Sequence, residues 1–137
     1  MIVADTNLVA YLLIRGDRTE QSEKAYQRDP EWTAPLLWRS EFRNILASYM
    51  RRGLLLLEHS LALAEEAELL MSQREYEVRT GDVLALAHAS GCSAYDCEFV
   101  ALARNLGCPL VTCDSAVLST FPGTAVSLEQ FLKSKRC

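Results

Sequence analysis

Short apolar runs that read as strands are separated along this chain by segments of helical spacing, and that alternation limits the fold more than any other feature. "MIVA" leads into "NLVAYLLI" and then the more polar "RTEQSEKAYQRD"; "EWTA" leads into a long face running from Trp38 through Phe42, Ile45, Leu46, Tyr49 and Met50 to a stop at Gly53. Pro35 reads as a first-turn residue of that helix. Further on, "EHSLALAEEAELLMSQ" reads as a helix, "YEVR" as a strand, and "GDVLALAHAS" and "SAYDCEFVALARNLG" as helices. "PLVTC" then reads as a strand, "DSAVLS" as a helix, "TAVS" as a strand and "LEQFLKSK" as a last helix. Strands joined through helices cannot pair as hairpins, so the pattern predicts a three-layer α/β/α sandwich with a central, mainly parallel sheet.

At 137 residues, with no repeat and no low-complexity linker, the chain reads as one domain spanning 1–137. A chain of this length buries roughly 68% of its unfolded surface without staples. No apolar run approaches the ~20 residues of a membrane helix, and "MIVADT" lacks a basic segment followed by a long apolar one, which points to a cytoplasmic protein. Five cysteines, an odd number with no dense pattern, agree with a reducing compartment. The net charge of −4 argues against a broad basic surface for nucleic acid. Arg39, Arg43, Arg51 and Arg52 are the candidates for a local basic rim, or are simply solvated helix arginines. The tail "KSKR" has the same two readings, an RNA contact or charges complementing the dipole of the last helix.

Four acids stand out by position. In open parallel sheets ligands bind outside the carboxyl ends of the strands, and there Asp5 follows "MIVA" and Asp114 follows "PLVTC"; each also stands where a helix N-cap belongs. Asp96 projects among Phe99, Val100 and Ala103 on the apolar face of its helix, although Ser93 to Asp96 also matches a capping box. Glu41 lies at the margin of an apolar arc, with Asn44 and Ser48 extending a polar stripe, and a solvated glutamate is its plain alternative. Gathered at one sheet edge, carboxylates ~4 Å apart repel by about 4 kcal/mol at an effective dielectric near 20, so such a cluster calls for cations. Mg²⁺ or Mn²⁺ is the chemical match for oxygen ligands, and phosphodiester hydrolysis is the chemistry that follows.

The segments "VADTN", "WRSEFRNIL", "SAYDCEFVALA" and "PLVTCD" resemble, in order and spacing, the PIN domain, and most closely the VapC-type toxins of bacterial toxin-antitoxin pairs. The likeness covers essentially the whole chain. It implies a Mg²⁺- or Mn²⁺-dependent endoribonuclease acting on RNA, a homodimer, and inhibition by a cognate antitoxin protein. Carried over by position, Asp5, Glu41, Asp96 and Asp114 match the family's four acids as catalytic and metal-binding residues, while Thr6, Asn44 and Thr112 fall at neighbouring polar positions that would support them by hydrogen bonding. "DSAVL" departs from the family by lacking the more usual basic residue after the last aspartate, which removes one contact to RNA phosphate.

Other readings fit less well. A haloacid-dehalogenase phosphatase needs a second acid where Asn7 stands, and a receiver domain needs paired acids at its first strand. A structural zinc module would use Cys92, Cys97, Cys108 and Cys113, but a helical pattern separates the pairs. A PIN-like module that binds RNA or protein without catalysis is the remaining alternative.

Overall fold

The computed structural model describes residues 1–134. Its elements run β1 (Ile2–Ala4), α1 (Thr6–Leu13), α2 (Thr19–Arg28), β2 (Trp32–Pro35), α3 (Leu37–Arg51), α4 (Leu57–Leu70), β3 (Glu75–Tyr76), α5 (Thr80–Ser90), α6 (Ala94–Leu106), β4 (Leu110–Val111), α7 (Ser115–Thr120), β5 (Ala125–Val126) and α8 (Leu128–Lys133). The strands form one five-stranded sheet in the order β3-β2-β1-β4-β5, and every neighbouring pair is parallel. Long helical crossovers leave no other pairing open to strands this short. Two expectations shift. Pro35 ends β2 instead of opening α3, opposite Tyr76 of β3, and β3 begins at Glu75, one residue before the predicted "YEVR".

β1 is the centre of the sheet, paired with β2 through Ile2 and Val3 and with β4 through Val3 and Ala4, and all three of its residues are buried. Trp32, Trp38, Phe42, Val100, Leu110 and Val111 join them in the core. Along α3 the buried side is Trp38, Phe42 and Leu46; Ile45, Tyr49 and Met50, expected on the same apolar face, are only half-buried. On α4, Leu63 and Ala67 enter the core while Leu57, Leu61 and Leu69 face solvent. α6 packs on β1, β2 and β4, with α5 against it, whereas α1, α2, α3 and α8 form the packed layer on the other side. Left-handed Gly107 (φ 66°) closes α6 and turns the chain straight into β4.

Among the described residues no helix is long and apolar enough to cross a membrane. Of the basic tail, Lys133 ends α8 and Ser134 caps it; Lys135 and Arg136 lie outside the described residues. Cys92, Cys97, Cys108 and Cys113 are free thiols, and burial is the first cause raising the proton affinity of Cys97, Cys108 and Cys113, opposite to what a thiolate ligand needs.

Candidate active site

Adjacent β1 and β4 each end on a hydroxyl or carboxylate turned to the same edge of the sheet. Asp5 follows β1 at the N-cap position of α1, yet its side chain makes no capping bond. Instead the Thr112 hydroxyl, just past β4, donates to Asp5 Oδ2 at 2.7 Å. The same hydroxyl accepts from the Asp114 amide at 3.1 Å, so one buried threonine ties together the acids that end two neighbouring strands. Thr6, the first residue of α1 and also buried, donates from its hydroxyl to Glu41 Oε1 at 2.6 Å, drawing the acid of α3 toward the start of α1. Glu41 is therefore no solvated glutamate.

Asp96 and Asp114 keep part of their plain roles. The Ser93 hydroxyl accepts from the Asp96 amide at 3.1 Å, one half of a capping box. Asp114 caps α7, its Oδ1 accepting from the Val117 amide at 2.9 Å, and it is exposed. Asn44 is exposed and lines the same cleft as Glu41.

Two cavities meet at Asp5. One, lined by Asp5, Thr6, Asn7, Glu41, Asn44 and Ile45, measures about 200 Å³. The other is a pinhole of about 10 Å³ bounded by Asp5, Asp96 and Thr112 and by the apolar Phe99, Leu110 and Val117, on the scale of a single water or ion. Proton affinities show the acids in each other's fields. Burial is the first cause raising the Asp5 carboxyl above its ordinary value; the Thr112 bond opposes this and the Asp114 and Asp96 charges add to it. Glu41 is raised chiefly by burial against the Thr6 bond, with Asp5, Asp96 and Glu98 adding. Asp96 is raised by burial and then by Asp114, the Ser93 hydroxyl opposing. Three acids thus bind their protons more tightly than usual beside a fourth, with no cation paired to any of them among the described ion pairs.

Among the described residues no three carboxyl, thiol or imidazole groups stand close enough to close around one ion. The donors around Asp5 are oxygens, the ligand type that Mg²⁺ and Mn²⁺ prefer, and Mg²⁺ takes one or two carboxylates and keeps several waters.

Sequence reasoning missed the surroundings of this edge. Arg18, in the loop before α2, reaches Cys113 with Nη1 3.0 Å from Sγ, immediately beside Asp114. Arg39, a candidate for a basic rim, is instead held by Glu75 (2.5 and 2.8 Å) and Glu68 (3.2 Å). Arg52 lies over the Tyr49 ring at 4.7 Å. No spacing in the sequence signals the Arg18 contact, which spans 95 positions.

The sequence profile described as PIN domain matches residues 2–121. Ribonuclease VapC3 of Pyrobaculum aerophilum is 32% identical over 124 residues, which is 88% of this chain and 95% of that protein. A crystal structure of PAE2754, also from Pyrobaculum aerophilum, superposes with a TM-score of 0.75 at 20% identity, covering 96% of this chain and 85% of that one.

Proposed function

This chain belongs to the PIN domain family, and on that premise we propose that it is a Mg²⁺- or Mn²⁺-dependent endoribonuclease, the toxin of a toxin-antitoxin pair. The observation that carries the reading is the convergence of Asp5, Glu41 and Asp96, with Asp114, on one sheet edge, each of the first three held at raised proton affinity with no cation paired to it. Burial without a compensating cation is the larger cause and mutual repulsion the smaller, and ordinary folding has no use for either. The similarity to a protein named as a ribonuclease supports RNA as the substrate.

Asp5 and Asp96, which share the pinhole, would hold the main ion, and Asp114 would complete or recruit a second site. Bound there, Mg²⁺ or Mn²⁺ supplies Lewis acidity to the phosphate and lowers the pKa of an attacking water. Thr112 fixes the rotamer of Asp5, and Thr6 fixes that of Glu41. Glu41, made more basic by burial, orients the attacking water and takes up its proton in the larger cleft. No protein nucleophile is used, so the oxygen added to the cut phosphate comes from solvent. A cognate antitoxin would act by occupying this edge, and a homodimer would present two of them.

Single-stranded RNA incubated with the purified full chain tests the proposal. Cleavage is expected with Mg²⁺ or Mn²⁺ and none with EDTA, and reaction in ¹⁸O-water should place one labelled oxygen on the product phosphate. Cleavage undiminished by EDTA, or by both Asp5→Asn and Asp96→Asn, would remove the proposal. Silencing by the product of a neighbouring short reading frame tests the toxin assignment separately.

A further inference from the structure

A third cleft opens beside the acidic one, between α1 and α3, with a volume of about 320 Å³. Asn7 and Ile45 line both, so the two adjoin. Its walls are Asn7 and Tyr11 from one side of α1, Ile14 just past its end, and Ile45 and Tyr49 from α3, one and two turns beyond Glu41. Asp17 and Arg18 close the far rim. The Arg18 guanidinium lies 5.7 Å from the Tyr11 ring centroid, reaches across to Cys113, beside Asp114, and stands 3.7 Å from Glu129 in an exposed, weak ion pair that a phosphate would have to displace. Two half-buried tyrosines and a cation, opening onto the catalytic edge, have no part in the hydrolysis described above.

We propose that this cleft seats the nucleotide next to the scissile phosphate, its base against Tyr11 and Tyr49 and its linking phosphate on Arg18. The inference rests on the ribonuclease reading and deepens it. Sequence-specific recognition of single-stranded RNA works by splaying a base onto aromatic or guanidinium planes and reading its edge with a few polar groups. The phenol hydroxyls and the Asn7 amide provide donors and acceptors for that edge. Along its helix, Tyr11 stands six residues beyond Asp5, ~9 Å of axial rise, which is right for a neighbouring nucleotide and too far for the one being cut.

The test uses short single-stranded RNAs of varied sequence, with binding followed by fluorescence anisotropy in EDTA and cut-site preference by sequencing of products formed with Mg²⁺ or Mn²⁺. Tyr49→Ala and Arg18→Gln are each expected to weaken binding about tenfold. Tyr11→Phe keeps the ring, so binding should change by no more than about twofold while base preference next to the cut flattens. Folding of each variant is checked by circular dichroism. Wild-type cleavage with unaltered base preference in all three variants would overturn the subsite alone. So would competition by a bound antitoxin peptide that is lost in Tyr49→Ala while RNA binding is kept, since the cleft would then belong to the peptide. Failure of the wild type to cleave or bind RNA would overturn the ribonuclease reading and the subsite with it.

Discussion

Arg39 and Glu41 stand on the same turn of α3, yet they serve opposite electrostatic arrangements. Arg39 turns toward β3, where its guanidinium forks onto both oxygens of Glu75 and reaches Glu68, while the Trp38 indole donates to Glu75 at 2.8 Å. There the acid is matched, and the Arg39 bond is the first cause holding Glu75 below its ordinary range. Glu41 turns toward β1 and meets Asp5 and Asp96, with one neutral hydroxyl for a partner. Both acids are partly withdrawn from water; only one receives a cation. The fold is thus able to neutralise a carboxylate at a sheet edge, and at the carboxyl ends of β1 and β4 it does not. Matched charge at one edge makes a structural contact; unmatched charge at the other is what the proposed metal-dependent reading rests on.

The largest effect should come from removing a carboxylate at the unmatched edge. Asp96→Asn deletes one oxygen ligand for the proposed ion. RNA cleavage should fall by several kcal/mol of transition-state stabilisation, roughly a hundredfold to a thousandfold, measured as initial rate at saturating metal. The metal-free fold should hold or gain stability in urea titration, because a repelling charge is gone. A large loss of metal-free stability would show that Asp96 serves as a structural cap after all. The matched edge should respond in reverse. Glu75→Gln leaves Arg39 without its forked partner and should cost roughly 1.5–3 kcal/mol in urea denaturation, with the cleavage rate per folded molecule unchanged. Equal effects of the two substitutions on activity would erase the contrast.

Thr112→Val sharpens the comparison further. It removes the hydroxyl that joins Asp5 to the Asp114 amide without touching any charge. Outer-shell partners of metal-binding carboxylates are typically worth 10–100-fold in metal affinity, so Mn²⁺ binding measured by calorimetry should weaken by about that factor. Unchanged Mn²⁺ affinity would detach Thr112 from the site and leave it a strand-end bridge.

Much of this edge is legible in one dimension. That Asp5 and Asp114 end strands follows from the apolar runs before them, and that Asp96 faces inward follows from its spacing to Phe99, Val100 and Ala103. A parallel sheet follows from connection length alone. What stays hidden depends on strand order, which no local pattern encodes. Thr112 reaches Asp5 only because β4 pairs with β1, and Arg39 finds Glu75 only because β3 pairs with β2. Pro35 misleads because its missing amide proton is not needed where β2 ends: the amides of Ala34 and Leu36 on either side of it make the bonds to Arg74 and Tyr76. Tyr49 shares helical spacing with Phe42, yet it lines a cleft, since periodicity marks a face and does not say which residues of that face are covered.

The smallest effect is a slope in stability against pH, and its sign differs between the two edges. Asp5, Asp96 and Glu41 have folded pKa values above their ordinary 3.8, 3.8 and 4.5. Between those values and the raised ones the native state binds more protons than the unfolded chain, so stability falls as pH rises. What these three groups contribute is fully present below their unfolded pKa and lost as pH climbs through the folded one. Glu75 behaves oppositely, because its folded pKa lies below 4.5: its contribution is present above that value and lost as pH falls through the lowered one. In EDTA, the urea midpoint of the wild type should therefore decline as pH is raised from about 4.5, and Asp5→Asn should flatten the decline. Mg²⁺ or Mn²⁺ should offset it, since an ion that binds the native state alone stabilises most where the carboxylates are ionised. Glu75→Gln should leave the decline intact and change only the acidic limb. If Asp5→Asn and wild type trace parallel curves above pH 4.5, the charge at the ends of β1 and β4 is already neutralised within the chain, and the contrast between the two edges disappears.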